Sequence, residues 1–292
     1  MHRPAAYTEP VLAWYAANAR DLPWRHPDAT PWSILVSEIM LQQTPVVRVL
    51  PVWGEWMVRW PAPADLAASS AGDAVREWGR LGYPRRALRL HASAVAIVER
   101  HGGEVPGSYD HLLALPGVGS YTAAAVASFA FGQRHAVLDT NVRRVLARMV
   151  TGIEYPAQAQ TAAELRVAES LLPREPSVAA RWAVAAMELG ALVCTARSPQ
   201  CAGCPVQDMC TWRLTGKPAY DGPPRRGQTY AGTDRQCRGR LLAVLREAPD
   251  PVEKPELDIV WADARQRERA LDGLIADGLV DPLDDGRYAL PG

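Results

Sequence analysis

Lysine is almost missing from this 292-residue sequence, since only Lys217 and Lys254 among its 32 basic residues are lysines. A GC-rich genome, which encodes arginine in place of lysine, would account for the shortage by itself. The shortage also has a chemical consequence. A chain with so few amines offers few candidates for a lysine that attacks a substrate and forms a Schiff base.

Long apolar runs are missing as well. No stretch of about eighteen consecutive apolar residues occurs, and the N-terminal segment MHRPAAYTEP lacks the apolar core of a signal peptide. These absences argue against membrane and secreted proteins, so we predict a cytoplasmic protein without a membrane partner. Its 48% hydrophobic and 22% charged residues are normal for a globular protein, and its length suffices for two or three domains.

The sequence also lacks a net charge, because 32 acidic residues balance the 32 basic ones. The total therefore gives no argument for a nucleic-acid partner. Residues 1–217 carry 21 basic and 18 acidic side chains, whereas residues 218–292 carry 11 and 14. Within the second part, residues 225–240 are locally basic. We expect any DNA-binding face to lie on the earlier, larger part or on this basic segment.

A helical hairpin is predicted in the middle of the chain. An apolar helical run stops at Leu115-Pro116-Gly117-Val118-Gly119, and a helical pattern resumes at Ser120. Proline cannot continue a helix, and the two glycines allow backbone angles that a Cβ would forbid. The unpaired N–H groups at the start of the second helix can hold a phosphate. An ordinary corner between two helices is the alternative.

Helical patterns dominate the rest of the chain, and no convincing alternating strand appears before residue 280. The sequence therefore predicts an all-α fold. A connector rich in proline, glycine and arginine, GKPAYDGPPRRGQTYAGTD, has the composition of a domain linker. The segment after it has the pattern of three helices and a short hairpin, which indicates a small winged-helix-like module.

Four cysteines lie within 17 residues in the pattern C-x6-C-x2-C-x5-C: Cys194, Cys201, Cys204 and Cys210. Disulfides are uncommon in cytoplasmic proteins. Zinc sites usually pair their ligands as two close doublets, and only one doublet is present here. An iron–sulfur cluster bound by four cysteines fits better, with zinc as the alternative. Cys237 stands apart and is expected to be an incidental thiol.

Three of these motifs occur in an order that resembles the helix–hairpin–helix DNA glycosylases of the endonuclease III superfamily. They are LPGVGSYTA, VLDTNVRRVLAR and the cysteine pattern, and the resemblance covers residues 8–213. Four further segments, LPWR, SEIMLQQT, LGYPRRA and MELGALVC, are similar to the MutY-type adenine glycosylases. The resemblance implies removal of adenine mispaired with 8-oxoguanine or guanine in double-stranded DNA, by a nucleoid-associated protein. We expect a monomer with one 4Fe-4S cluster.

The resemblance also implies a domain organisation. We expect a six-helix barrel domain with the helix–hairpin–helix at residues 22–135, and an iron–sulfur cluster domain formed by residues 1–21 and 136–213. A linker at 214–235 and the winged-helix-like module at 236–292 would follow. The family usually ends in a Nudix-like β-rich domain that recognises 8-oxoguanine, and the C-terminal segment here is too short and too helical for it.

Two carboxylates suit the hydrolysis of a bond between a base and its sugar. Glu38 lies in an apolar helix, where burial would favour its protonated form, and by resemblance it protonates the adenine. Asp139 starts a helix, whose N–H groups and dipole would keep it ionised opposite an oxocarbenium-like sugar. A plain helix cap is the alternative for Asp139.

The reaction type follows from the position after the hairpin. Members of the superfamily that also cleave the strand have a lysine there, and this chain has Tyr121. We therefore predict a monofunctional glycosylase that uses water. By resemblance Asn141 supports the active site. Glu188 matches a family glutamate near the flipped adenine, with a buried structural acid as the alternative.

DNA contacts are predicted mainly at the end of the SEIMLQQT helix, because the adenine must leave the duplex and something must hold the opposite base. By resemblance Gln43 and Thr44 contact the 8-oxoguanine side, and Tyr83 is the wedge that enters the stack. The full set of predicted DNA-binding residues is Trp24, Arg25, Gln42, Gln43, Thr44, Tyr83, Leu115, Gly117, Val118, Gly119 and Glu188.

Two other functions remain open at this point. A mismatch thymine or uracil glycosylase of the same superfamily can also carry tyrosine after the hairpin, but it tends to have arginines where this chain has Gln42 and Gln43. A non-catalytic DNA-binding redox sensor would have no need of both Glu38 and Asp139. A further departure is Thr140, which replaces the glycine of many MutY-type enzymes and puts a close approach of its backbone to DNA in doubt.

Overall fold

The computed structural model describes residues 4–223 and 230–292, so the middle of the predicted linker, residues 224–229, lies outside the described residues. Within them the fold is all-α, as predicted, apart from one small hairpin. The helices and strands are α1 (Pro4–Asn18), α2 (Pro31–Leu41), α3 (Val46–Arg59), α4 (Pro63–Ala67), α5 (Ala71–Glu77), α6 (Arg85–His101), α7 (Tyr109–Leu113), α8 (Ser120–Phe131), α9 (Thr140–Leu146), α10 (Ala162–Leu171), α11 (Pro176–Leu192), α12 (Thr211–Leu214), α13 (Asp234–Glu247), α14 (Lys254–Asp258), α15 (Ala264–Ala276), β1 (Asp281–Pro282) and β2 (Tyr288–Ala289).

The described residues form two compact units. The first contains residues 4–34, 107–113 and 118–223, and the second contains residues 35–106, 114–117 and 230–292. The domain limits expected from the resemblance, at residues 22, 135 and 213, remain a prediction. No helix of the described ranges combines the length and the apolar character that a membrane span requires.

The first unit has its core where α1, α9, α10 and α11 pack together. Val11, Leu146 and Leu189 are buried there because the apolar faces of these helices meet. α9 and α11 approach closely at Gly190, where a Cβ would lie 2.7 Å from the Cβ of Asn141. α1 begins at Pro4, so Thr8, a residue type that often caps helices, lies inside this one.

The second unit is built around buried tryptophans. Trp56 forms edge-to-face pairs with Trp60 and Trp78, at centroid distances of 4.7 and 5.6 Å, a geometry that aromatic rings prefer. The indole N–H groups are also used, since Trp56 donates to the carbonyl of Glu77 and Trp78 to that of Gly82. This core fixes the loops that precede α6.

The C-terminal segment has three helices followed by the antiparallel pair β1–β2, which is the order that the sequence predicts. It packs against α5 within the second unit. The N–H of Gly72 donates to the carbonyl of Pro291 at 2.6 Å, Arg76 donates to the carbonyl of Ala248 at 2.8 Å, and Arg246 donates to that of Val75 at 2.9 Å. A Cβ at Gly72 would lie 2.4 Å from the Pro291 oxygen. The segment is therefore held in place by specific contacts.

Candidate functional site

α2 carries the predicted acid Glu38. All of its residues from Trp32 to Met40 are buried, and Glu38 itself is 5% exposed. Such a helix reads as a continuous apolar run because it is covered on every side. The carboxyl group is therefore removed from bulk water, as the sequence predicted, and burial favours the neutral form of a carboxylic acid.

The loops at the end of α2 and before α6 adopt an uncommon backbone conformation. Gln43 and Tyr83 have φ values of +56° and +49°, in the left-handed region that side chains with a Cβ rarely occupy. Both side chains are exposed, Tyr83 to 44%. Strained residues of this kind cluster at functional sites, where the surrounding structure holds them in place.

Arg86 is the residue that holds these loops, and the sequence analysis missed it. Its guanidinium is buried and donates to the carbonyls of Ile39 (3.0 Å), Met40 (2.9 Å) and Gly82 (3.0 Å). The first two are among the carbonyls that the C-terminus of α2 leaves without a helical partner. Burial lowers the pKa of Arg86 to about 10, so the group stays charged at neutral pH. The sequence feature that could have indicated this role is the LGYPRRA segment, which contains Arg86.

Arg86 also connects Tyr83 and Thr44. The guanidinium lies 5.5 Å from the Tyr83 ring centroid and 5.1 Å from that of Trp78, within the range of cation–π attraction. It donates to the Thr44 hydroxyl at 2.9 Å, and that hydroxyl donates to the carbonyl of Leu81 at 3.2 Å. Thr44 is buried, so its side chain joins the two loops, and a direct contact with DNA stays a prediction.

Asp139 is the N-cap of α9 in the first unit. Its carboxylate accepts from the N–H of Val142 at 2.6 Å and from the side-chain amide of Asn141 at 2.7 Å. Burial nevertheless raises the pKa of Asp139, although both hydrogen bonds and the nearby Arg144 act in the opposite direction. The direction differs from the lowering that the helix terminus predicts, because the sequence does not show how closely the carboxyl is packed.

Arg144, also missed from the sequence, joins Asp139 to the cysteine segment. It donates to the side-chain oxygen of Asn141 at 2.9 Å and to the carbonyls of Gly190 and Cys194 at 2.6 and 2.7 Å. Asn141 therefore lies between the carboxylate and this arginine. Thr140 is exposed as the first residue of α9 and has no left-handed backbone conformation, so threonine fits there without strain.

The four cysteines of the predicted cluster lie together in the first unit. Burial first, and then the nearby Cys194, Cys201 and Cys210, raise the pKa of the Cys204 thiol to about 11. None of the cysteines among the described residues forms a disulfide. In the same ranges no three His, Cys, Asp or Glu side chains could hold a single metal ion. Four thiols in one segment are the donor set that a four-cysteine iron–sulfur cluster requires.

Arg148 is buried next to the cysteine segment and donates hydrogen bonds to it. It is 1% exposed, and its guanidinium donates to the Cys194 sulfur at 3.4 Å and to the Thr195 carbonyl at 2.7 Å. The Cys210 thiol donates to the carbonyl of Arg148 at 3.6 Å. A buried positive charge that contacts the Cys194 sulfur would stabilise the thiolate form of that ligand.

Two arginines donate hydrogen bonds to the carboxylate of Glu188. It is fully buried and accepts from Arg20 at 2.7 and 2.8 Å and from Arg25 at 2.9 Å. Burial raises the pKa of Glu188, but these hydrogen bonds outweigh it and leave a pKa of about 2. The geometry favours the structural alternative for this residue. Trp24 is buried, and Arg25 has one buried N–H group, on Nη1, without a hydrogen-bond partner.

The residues of the hairpin have different structural roles. Gly117 has φ of +78°, and a Cβ there would lie 2.6 Å from that of Arg89, so the position requires glycine. Gly119 precedes α8, no side chain caps that helix, and open space lies where a Cβ would be. Leu115 and Val118 are buried anchors. The arrangement is suited to an anion at the start of α8.

Tyr121 stands in the first turn of α8 and packs against the apolar cluster that contains Val137 and Ala183. The two lysines are engaged elsewhere. Lys254 binds Asp258 and Glu268 at 2.6 and 2.7 Å, and Lys217 lies 5.8 Å from the ring centroid of Trp212.

The chain belongs to the HhH-GPD superfamily of base excision DNA repair proteins, whose pattern matches residues 36–169. The iron–sulfur binding domain of endonuclease III matches residues 194–210, which begin and end at predicted cluster ligands. These matches confirm the predicted fold family, the predicted enzyme class, a glycosylase of base excision repair, and the 4Fe-4S cluster.

Known proteins extend the similarity to almost the whole chain. The adenine DNA glycosylase of Mycobacterium tuberculosis is 55% identical over 283 residues, which are 97% of this chain and 92% of that protein. That of Mycolicibacterium smegmatis is 52% identical over 284 residues, 97% of this chain and 95% of that protein. A thermostable thymine-DNA glycosylase of known structure is 28% identical with a TM-score of 0.65, covering 73% of this chain and 97% of that chain.

Proposed function

We propose that the protein is a monofunctional adenine DNA glycosylase, which removes adenine mispaired with 8-oxoguanine or guanine from double-stranded DNA. The observation that carries the proposal is the end of α2. The helix that buries Glu38 leads directly into the loop that contains Gln43, and Arg86 joins this loop to the one that contains Tyr83. The acid for the adenine and Gln43 thus belong to one continuous stretch of chain, and Arg86 connects Tyr83 to it. The two mycobacterial relatives are named adenine DNA glycosylases, which supports removal of adenine.

In this proposal the two carboxylates divide the reaction. Glu38, protonated in its apolar helix, donates a proton to the adenine as the glycosidic bond breaks. Asp139, as a carboxylate, stabilises the positive charge that develops on the sugar, and water then adds to it. Asn141 and the Val142 N–H orient that carboxylate. Glu188 remains ionised between its arginines and transfers no proton.

Recognition is assigned to the exposed residues of the second unit. Tyr83 enters the base stack when the adenine leaves it, and Gln43 contacts the opposite base. Gln42 supports that loop, and Thr44 fixes it from the inside. The N–H groups at Gly119 and the start of α8 bind the DNA backbone.

The absence of a strand-cleaving step follows from Tyr121. A phenol at this position offers no amine for a Schiff base. Cys194, Cys201, Cys204 and Cys210 would hold the 4Fe-4S cluster, which would tie this segment together, and Arg144 and Arg148 donate hydrogen bonds to Cys194 there. We further propose that the protein acts as a monomer in the cytoplasm, at the nucleoid.

Incubation with three duplexes tests the proposal. They contain A opposite 8-oxoguanine, A opposite G, and T opposite G, and each is analysed with and without alkali. We expect alkali-dependent cleavage at both adenines and none at thymine. A Glu38→Gln variant should lose about 10²–10⁴-fold in rate, while Glu9→Gln, at an exposed position of α1, should not.

Two outcomes would contradict the proposal in different ways. Cleavage only at T opposite G would indicate a thymine glycosylase, the activity in the name of the structural relative. Cleavage without alkali would show that the protein also cuts the strand, and the role given to Tyr121 would then be wrong.

A further inference from the structure

The second unit contains an open groove of about 1400 Å³ whose walls are strongly basic. Ten of its 26 lining residues are arginines, and only Glu247 and Asp277 are acidic. The chain as a whole has no net charge. Such a local concentration is the electrostatic footprint of a phosphate-rich partner.

Both walls of the groove contribute exposed arginines. The segment before and within α6 supplies Arg80, Arg85 and Arg89, and α13 supplies Arg235 and Arg240. These two groups are about 150 residues apart in the sequence. Because they belong to the same unit, one extended anion can contact both walls. Guanidinium groups bind phosphate through two parallel hydrogen bonds, which suits them to this ligand.

The groove is a fixed feature of the unit. Arg85 forms an ion pair with Asp277 at 3.1 Å, and Arg238 binds the same carboxylate. The contacts of Arg76 and Arg246 described above join α5 to the end of α13. Arg76, Arg86 and Arg246 thus join parts of the walls, whereas the exposed Arg235 and Arg240 of α13 lie over the rings of Tyr230 and Trp261, each at 5.2 Å from the ring centroid.

The groove begins at the loops of the candidate site. Gln42, Gln43 and Tyr83 line it together with Arg235 and Arg240 of α13. A DNA strand whose base contacts Gln43 would continue along a surface that carries arginines on both sides. Its phosphates are the chemistry that this surface fits.

We propose that α13 is a DNA-binding element, and that the groove binds the sugar–phosphate backbone of the strand opposite the adenine. The identity of that strand rests on the proposed function, in which Gln43 and Tyr83 contact the opposite base. The C-terminal segment thus holds the strand that carries 8-oxoguanine through contacts with its phosphates.

Paired substitutions on two helices of the C-terminal segment test the proposal. The variant Arg235→Ala/Arg240→Ala removes two positive charges from the groove. The control Arg265→Ala/Arg269→Ala removes the same charge from α15, at exposed positions outside the groove. Both full-length proteins are titrated with a duplex whose adenine is protected from excision by a 2′-fluoro sugar, at several salt concentrations.

We expect the groove variant to bind about tenfold more weakly, since it loses charged hydrogen bonds. Its slope of log Kd against log salt should fall by about 1.8, for two phosphate contacts. The control should keep the wild-type Kd and slope within error. Equal affinities of the groove variant and the control would overturn the proposal, and the basic groove would then be left for a partner other than DNA.

Replacing phosphates by neutral methylphosphonates in one strand at a time identifies the strand that the groove binds. Methylphosphonates placed in the strand opposite the adenine should weaken binding of the wild type and leave the groove variant little affected. Placed in the adenine strand, they should weaken both proteins alike. Equal losses for both proteins from either strand would overturn the strand assignment.

Adenine release separates this proposal from the proposed function. With saturating enzyme the groove variant should keep the wild-type single-turnover rate, because the groove lies outside the reacting groups. If the wild type releases adenine and the groove variant binds DNA normally, the groove proposal fails and the proposed function stands. If the wild type releases no adenine but the groove variant still loses its salt dependence, the proposed function fails and α13 remains a DNA-binding element.

Discussion

Asp139 and Glu188 show how the same functional group acquires different properties in one unit. Glu188 is surrounded by donors from Arg20 and Arg25, and its pKa falls to about 2. Asp139 has neutral donors and a more distant arginine, and burial raises its pKa. A carboxylate whose charge is poorly compensated is the better candidate for chemistry, because a cationic transition state supplies the missing charge.

We expect Asp139→Asn to lose at least about a hundredfold in the single-turnover rate of adenine release. The amide oxygen can still accept from the Val142 N–H, so the helix cap is kept. Since the raised pKa makes the folded state favour the protonated acid, wild-type stability falls as the pH rises from the usual range of aspartate through the raised value. Calorimetry should therefore show the Tm of the variant, relative to wild type, increasing with pH. A variant less stable than wild type at every pH would contradict this account.

Glu188→Gln tests the structural role of the other carboxylate. The lowered pKa, from 4.5 to about 2, corresponds to about 3 kcal/mol of stability. In the wild type this contribution is present above the usual glutamate pKa and is lost as the pH falls toward 2. Urea unfolding at pH 7 should show the loss in the variant and a smaller difference below pH 4. An inactive variant with unchanged stability would instead indicate a direct role in catalysis.

At the scale of elements, the end of α2 depends on α6. Arg86 lies in α6 but donates to carbonyls at the end of α2, and its guanidinium lies 5.5 Å from the ring centroid of Tyr83. The left-handed residues Gln43 and Tyr83 thus persist because a buried charge fixes their loops. Local sequence preference would oppose both conformations.

Arg86→Met should therefore affect recognition as well as stability. We expect a loss of about 3–5 kcal/mol in the free energy of unfolding, as buried carbonyls lose their donor. The preference for A opposite 8-oxoguanine over A opposite G should shrink as the Gln43 loop relaxes. Single-turnover rates on both duplexes give the ratio. Arg100→Met, at an exposed position of the same helix, is the control and should leave both quantities unchanged.

At the scale of the whole chain, the C-terminal segment belongs to the second unit, and the alignments with the mycobacterial relatives cover 97% of this chain. Gly72 is the closest point of that packing, with the Pro291 carbonyl against it. The charge distribution differs between the sequence and the folded chain. The net charge is zero, yet arginines that are distant in the sequence line the same groove and make it strongly basic.

Gly72→Ala should loosen the C-terminal segment, since the new methyl group would overlap the Pro291 oxygen. We expect a loss of about 1–3 kcal/mol in stability and faster proteolysis after residue 230. Gly54→Ala, in α3 with no atom within 4 Å of the new Cβ, should raise stability by about 0.5–1 kcal/mol. Equal effects of the two substitutions would show that the packing at Gly72 is not specific.

Much of the fold and the cofactor could be predicted because their signals are local. Pro116 and Gly117 break a helix by their own backbone properties, Gly102 ends α6 in a left-handed conformation that glycine adopts readily, and the cysteine spacing shows four ligands in one segment. The candidate site could be predicted only as a set of residues. Which of them are exposed, as Gln43 is, or enclosed, as Thr44 is, depends on neighbours that the local pattern does not contain.

The sequence by itself determined the all-α class, the hairpin, the cluster ligands and the absence of a lysine after the hairpin, because each depends on residue types at short spacing. The tertiary structure decided the rest. Glu188 pairs with Arg20 across 168 positions, Arg86 reaches back to α2, and burial sets the direction of the Asp139 pKa. Desolvation and ion pairing act through space, so only the folded chain shows which buried carboxylate is compensated by arginines and which is not.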